Sequence, residues 1–141
     1  MKHFLFILVM FMLVVGCGQN DPEAQKQYLE GYWEIASVEK PDGTVKEFQV
    51  NENIDYIKIE DSTGFRTKVI PRYDGKFTTT KDSEKLILKI EADTLRILYS
   101  TLYDDWKETV LNVSEDQLKI RNQNGIIYTY RRHKKFNLLE E

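Results

Sequence analysis

Few side chains in this 141-residue sequence could do covalent chemistry. It holds one cysteine, Cys17, and two histidines, His3 and His133. Beyond Cys17, His133 is the only group of either kind, and it lies in a basic run after the last apolar stretch. With the Cys17 thiol taken up by the modification argued below and no second histidine after it, Cys–His nucleophile pairs and multi-histidine metal sites are excluded. The sequence contains no G-x-S-x-G, H-E-x-x-H, phosphate-binding loop, dinucleotide fingerprint or D-x-[DN]-x-[DN]-G calcium loop. Carboxylates are abundant, but no spacing selects a pair for glycoside hydrolysis. These residues argue against an enzyme and ask for neither metal nor cofactor.

Cys17 invites a different chemistry. It closes the apolar run Phe4–Val15, follows Val14-Val15-Gly16, and is preceded upstream by the weakly basic Lys2-His3. A basic start, a short apolar core and a small residue before the cleavage point make a secretory signal, and 12 apolar residues are too few to span a ~30 Å hydrocarbon core as a helix. Leu13-Val14-Val15-Gly16-Cys17 resembles the lipobox of bacterial lipoproteins. That resemblance implies cleavage before Cys17, acylation of its thiol and new amino group with palmitate-type chains, and attachment to the membrane through the N-terminal lipid. Gly18 stands where an aspartate would resemble an inner-membrane retention signal, which implies the outer membrane, facing either the periplasm or the outside.

Without residues 1–16, which hold Lys2 and no acid, 19 basic and 23 acidic side chains remain, a net charge of −4. That balance offers no block of positive potential for nucleic acid. With its thiol acylated, the chain has no disulfide and must be stabilised by burial alone, which a single domain of this length can manage. The organisation reads as signal peptide 1–16, lipidated tether 17–27, folded domain 28–137 and tail 138–141, acting as a monomer.

The elements that would position any site are strands. From Tyr28 on, short stretches rich in Ile, Val, Thr, Tyr and Phe alternate with turn clusters such as Pro41-Asp42-Gly43, Asp74-Gly75, Lys81-Asp82-Ser83 and Gln123-Asn124-Gly125. Strands are expected near 32–39, 44–49, 55–60, 65–70, 76–80, 85–90, 94–100, 105–113, 117–122 and 126–132, with a turn of helix at 23–30. So many short strands in succession suggest hairpin neighbours. Closing them into a small antiparallel up-and-down β-barrel removes the open edges, and a two-sheet sandwich is the competing arrangement.

The first strand reads Gly31-Tyr32-Trp33-Glu34-Ile35 and the last Tyr128-Thr129-Tyr130-Arg131-Arg132. The G-x-W opening and the arginine after the last strand resemble the lipocalins. With the lipobox and the Asp104-Asp105-Trp106-Lys107-Glu108 strand, the chain resembles the small lipocalin-like lipoproteins of the Bacteroidetes. It lacks the Thr-Asp-Tyr motif of the larger lipocalins. The resemblance implies a barrel plugged at one end by Trp33, with Arg131 or Arg132 lying over the indole, and a small apolar or amphipathic ligand at the other.

The inward faces set what such a barrel could hold. Phe65/Thr67/Val69, Leu86/Leu88/Ile90, Leu95/Ile97/Tyr99, Leu118/Ile120 and Ile57/Ile59 each offer an apolar or weakly polar face. Phe77, Tyr99, Tyr103, Trp106, Tyr128 and Tyr130 are candidates for the wall and rim of a cavity, or else core. One strand is ambiguous: if Trp106 faces inward, Glu108 follows it and needs a partner among Arg66, Lys68 and Arg96, because a lone buried carboxylate is costly. Such a group could orient a polar ligand head; Glu108 facing solvent is the alternative. Two function classes follow: a lipid-anchored binder of a small molecule, and an envelope-protein interaction or inhibitor module with a filled barrel.

Overall fold

The computed structural model describes residues 21–134; Cys17, the 1–16 leader and the 138–141 tail lie outside the described residues. One helix, α1 (Pro22–Leu29), precedes nine strands: β1 (Gly31–Glu39), β2 (Val45–Glu47), β3 (Ile54–Glu60), β4 (Thr63–Pro71), β5 (Phe77–Glu91), β6 (Thr94–Ser100), β7 (Asp105–Val113), β8 (Gln117–Asn122) and β9 (Ile127–Arg132). All pair antiparallel with their neighbours, and β9 returns to pair with β1. Eight strands thus close a barrel. The three-residue β2 stands aside, pairing with Ser37–Glu39 of β1, whose first residues, Gly31–Trp33, pair with β3.

Turn chemistry sets the connections. Asp42, Asp74 and Asn122 each accept a backbone N–H two residues on, and Gly43, Gly75 and Gly125 supply positive φ. The helix is capped as its sequence dictates: the Asp21 carboxylate accepts from the Glu23 amide at 3.2 Å, and Pro22 fills the first turn. The turn of helix expected at 23–30 is α1, and it folds against the barrel, so that residues 22–27, also assigned to the tether, pack on the domain. Gln25 and Leu29 are buried, and α1 packs on β3, β5, β6 and β7 at the end where β1 begins and β9 finishes. A two-residue apolar contact is too sparse to register as a period.

Three other expectations are corrected. The stretches 76–80 and 85–90 are one 15-residue strand, β5. Lys81-Asp82-Ser83 forms a bulge rather than a turn, with Thr67 opposite Ser83 but Val69 opposite Thr79. The Thr67 hydroxyl donates to the Asp82 carbonyl at 2.7 Å, and Thr80 donates to that of Lys68 at 3.0 Å, holding the bulge in the sheet.

The phase of β4 is reversed. Arg66 pairs with Ile57, and Lys68 with Asp55, so Arg66 and Lys68 face the interior while Phe65, Thr67 and Val69 face out. Val69 and its partner Ile54 are nonetheless buried, on the outer side. That same wall carries a stack in which Tyr32 lies between Tyr56, at 4.5 Å, and Phe77, at 4.2 Å.

In β7 both candidate faces are used. Trp106, Glu108 and Val110 point inward; an extra residue at Leu111 then shifts the phase, and Val113 points inward opposite Leu118. The core below is continuous, built on Trp33, Ile57, Leu88, Leu95, Ile97 and Ile120.

Candidate functional site

The two ends of the barrel are built differently. At the end covered by α1, Trp33 is 1% exposed and its indole N–H donates to the Leu29 carbonyl at 2.9 Å. Of the two candidate arginines it is Arg132 that lies over the ring, its guanidinium carbon 4.1 Å from the centroid. The same guanidinium donates to the carbonyls of Glu30 and Tyr28, at 2.9 and 2.8 Å, and to Glu115, satisfying the last turn of the helix. Arg131, on the opposite face, pairs with Glu34 at 2.9 Å and donates to Gln49. Gly31 explains its own place in the G-x-W opening: its φ is +138°, and a Cβ there would collide with Arg132 Nη1.

Toward the other end the interior turns from apolar to charged. Arg66 lies on the Tyr99 ring, 4.2 Å from the centroid. Its Nε donates to Glu84 at 2.6 Å, its Nη1 donates to the Tyr99 hydroxyl at 3.2 Å, and Nη1 stands 3.5 Å from Glu108 Oε2. Beside them Lys68 donates to Asp55 at 2.8 Å. Burial opposes the Arg66 charge, but Tyr99, Glu108 and Glu84 outweigh it and hold the guanidinium protonated. Burial pushes the Glu108 carboxyl above the ordinary carboxylate range, with Arg66 pulling the other way. Burial raises the Tyr99 and Tyr130 phenols in the same manner.

This layer divides the interior. Below it, between Trp33, Ile57, Ile97 and Leu118, only about 10 Å³ is left open. Above it lies a chamber of about 460 Å³, walled by Asp55, Arg66, Lys68, Asp82, Glu84, Glu108, Tyr128 and Tyr130. It adjoins a smaller space of about 210 Å³ beside Ile35, Val38 and Asn53, with Asp55, Lys68, Tyr128 and Tyr130 common to both. The first is ringed by charged side chains; the second adds Ile35 and Val38 to the shared Asp55 and Lys68. A larger, mostly apolar depression of about 1,100 Å³ opens on the outer wall among Phe65, Ile87, Leu98 and Lys85 and reaches the inward-facing Leu86, Tyr99 and Trp106.

Glu108, Tyr128 and Tyr130 line the chamber, and Tyr99 forms its floor beneath Arg66. Trp106 faces inward and stacks on Tyr99 at 5.2 Å, but it borders the outer depression and is not part of the chamber wall. Phe77 stacks outside the barrel on Tyr32 and His133, and Tyr103 is 94% exposed in the β6–β7 turn. The six candidate aromatics are thus divided: Tyr128 and Tyr130 line the charged chamber, Tyr99 and Trp106 the larger depression, and Phe77 and Tyr103 neither. Sequence reasoning named Arg66 and Lys68 as partners for Glu108 but faced them outward, and it missed Asp55, Asp82 and Glu84. Their signal was the charge alternating with apolar residues along β4, which a two-sided strand leaves undecided. Among the described residues no group of three or more His, Cys, Asp or Glu is placed to hold a metal ion.

The lipocalin-like domain model matches residues 29–120. Among solved structures, a lipocalin-like protein from Bacteroides uniformis is similar at 15% identity, over 74% of this chain and 98% of its own, with a TM-score of 0.46. An uncharacterized protein from Bacteroides eggerthii is similar at 13% identity over the same shares, with a TM-score of 0.47. No curated protein matches the sequence.

Proposed function

This chain belongs to the lipocalin-like domain family, and we propose that it binds a small amphipathic molecule at the open end of its barrel, as a lipid-anchored protein of the bacterial envelope. The observation that carries this reading is the chamber of about 460 Å³ ringed by charged side chains, adjoining about 210 Å³ where Ile35 and Val38 add apolar wall. The larger volume lies in the range of small-molecule sites, which are concave and place a few polar groups on an apolar wall. The reading is a binding role, in which Arg66 holds Glu84 and Lys68 holds Asp55 in place around the chamber. The anchor rests on the lipobox at Cys17, and outer-membrane placement on Gly18.

The alternative is an envelope-protein interaction module. It is favoured by Tyr73 in the β4–β5 turn and by Leu102 and Tyr103 in the β6–β7 turn, which stand almost wholly exposed. Native mass spectrometry of the protein extracted from membranes separates the two. A co-purifying small molecule, released when Glu108 or Tyr130 is substituted and retained when Tyr103 is, supports the binder. A protein partner lost in Tyr73→Ala or Tyr103→Ala, with no small molecule, supports the alternative.

A further inference from the structure

Glu108 is 6% exposed; the Tyr99 hydroxyl bears on its carboxyl, but the Oε2 atom has no hydrogen-bond partner among the described residues. Arg66 Nη1 stands 3.5 Å away, close enough for attraction between charges but without a hydrogen bond. That guanidinium is already committed to Glu84 and the Tyr99 hydroxyl, so one cation serves two carboxylates. Lys68 is held by Asp55, and Asp82 adds another acid to the wall. Four carboxylates therefore face two cations around one chamber, and the buried acceptor left without a donor is on Glu108.

We propose that the ligand is cationic: the chamber takes a small organic amine whose ammonium group pairs with the Glu108 carboxylate on its wall. The inference rests on the chamber being the ligand site and adds the sign and class of what enters it. A buried acceptor is satisfied by a donor, and a charged donor makes the stronger bond. An ammonium would also offset the excess of negative charge, whereas a carboxylate or phosphate would meet four like charges and two cations already paired. The phenol rings of Tyr128 and Tyr130 line the same wall and suit the polarised methylenes beside an ammonium. The adjoining space beside Ile35 and Val38 accepts an apolar body. Burial raises the Glu108 pKa; a bound ammonium would lower it, acting in the same sense as Arg66.

The test is a head-group series on one body, titrated calorimetrically into the full chain in detergent with a detergent-only blank: 2-phenylethylammonium, 2-phenylethanol and 3-phenylpropanoate. The ammonium should bind at least about tenfold more tightly than the alcohol, and the carboxylate more weakly than either. Glu108→Gln should bring the ammonium to the level of the alcohol, and Tyr103→Ala should leave the order unchanged. The wild-type series decides the matter even if the glutamine variant fails to fold. Equal binding of ammonium and alcohol, or preference for the carboxylate, overturns the proposal while leaving a ligand-binding barrel. Failure of all three to bind overturns the chamber reading, and this proposal with it.

Discussion

Arg132 lies flat on Trp33 at one end of the barrel while its nitrogens hold the last carbonyls of α1. A single side chain thus joins the first strand, the last strand and the helix that covers them. Gly31 leaves the space it needs. The G-x-W opening and the C-terminal arginine are two halves of one contact, which is why they occur together although about a hundred residues apart.

Trp33→Ala removes this support from beneath. Truncating a buried tryptophan costs about 3–5 kcal/mol, a large share of the ~5–15 kcal/mol that stabilises a domain of this size. The variant should unfold or lose much of its urea midpoint. Trp106→Ala, at a half-buried position, should lose less. Arg132→Gln should lie between, since it forfeits a cation–π contact of about 0.5–2 kcal/mol and the helix caps. A reversed order would mean that Trp106, not Trp33, anchors the core.

Arg66 and Glu108 should respond unequally to substitution. Arg66→Met leaves Glu108 buried, and Glu84 half-buried, without their cation, and breaking a buried pair this way costs about 3–5 kcal/mol. Glu108→Gln removes a charge that burial already disfavours. Because the Glu108 pKa is raised in the fold, its contribution to stability is present below the ordinary carboxylate value of 4.5 and is lost as pH rises through the raised one. Arg66, Glu84, Asp55 and Tyr99 face it and shape that titration. Urea midpoints should therefore favour Glu108→Gln over wild type at about pH 7, with the gap closing by about pH 4. Destabilisation by the glutamine at neutral pH would show that the ion pair outweighs its desolvation.

Deleting Leu111 tests the bulge in β7. Without the extra residue the strand alternates regularly, with Asn112 still outward opposite Lys119 and Val113 still inward opposite Leu118. The deletion should therefore keep a cooperative unfolding transition, as should Leu111→Ala. Loss of the transition in the deletion variant would mean that the bend of the bulge itself is needed to close the barrel.

Membrane fractionation tests the anchor. Wild type should sediment with the outer membrane and Cys17→Ser should be released from it. Recovery of wild type with the inner membrane contradicts the expectation drawn from Gly18, and membrane retention of the serine variant removes the anchor.

The barrel, its strands and the Trp33 plug were legible because each is written locally, in turn residues and in an alternation of period two. Glu108 was legible as a question, since a carboxylate in phase with Trp106 demanded a partner. The phase of β4 was not. Phe65, Thr67 and Val69 look like a core face, but the wall they occupy is itself partly buried, with Val69 against Ile54 and the Tyr56–Tyr32–Phe77 stack alongside. Alternation tells two faces apart; which one is the interior depends on partners distant in sequence, here Glu84 and Glu108 for Arg66. Bulges were hidden for a related reason. Asp82-Ser83 has the composition of a turn, and Leu111 that of an ordinary strand residue; only the register with a neighbour marks either as extra.

The seam between β1 and β9 also governs how the chain can be made. Glu34 and Arg131 meet across 97 residues, and closing a loop of that length costs about 4 kcal/mol of chain entropy before any seam contact forms. Hairpins from β3 to β8 are local and can form early; the seam must be late, as non-local pairings are slow. Delivered from its N-terminus, the chain holds β1 with one side unpaired until residue 132 has emerged. A product stopped before Ile127 is then no smaller barrel. It is an open sheet whose bare β1 and β8 edges invite pairing with other chains.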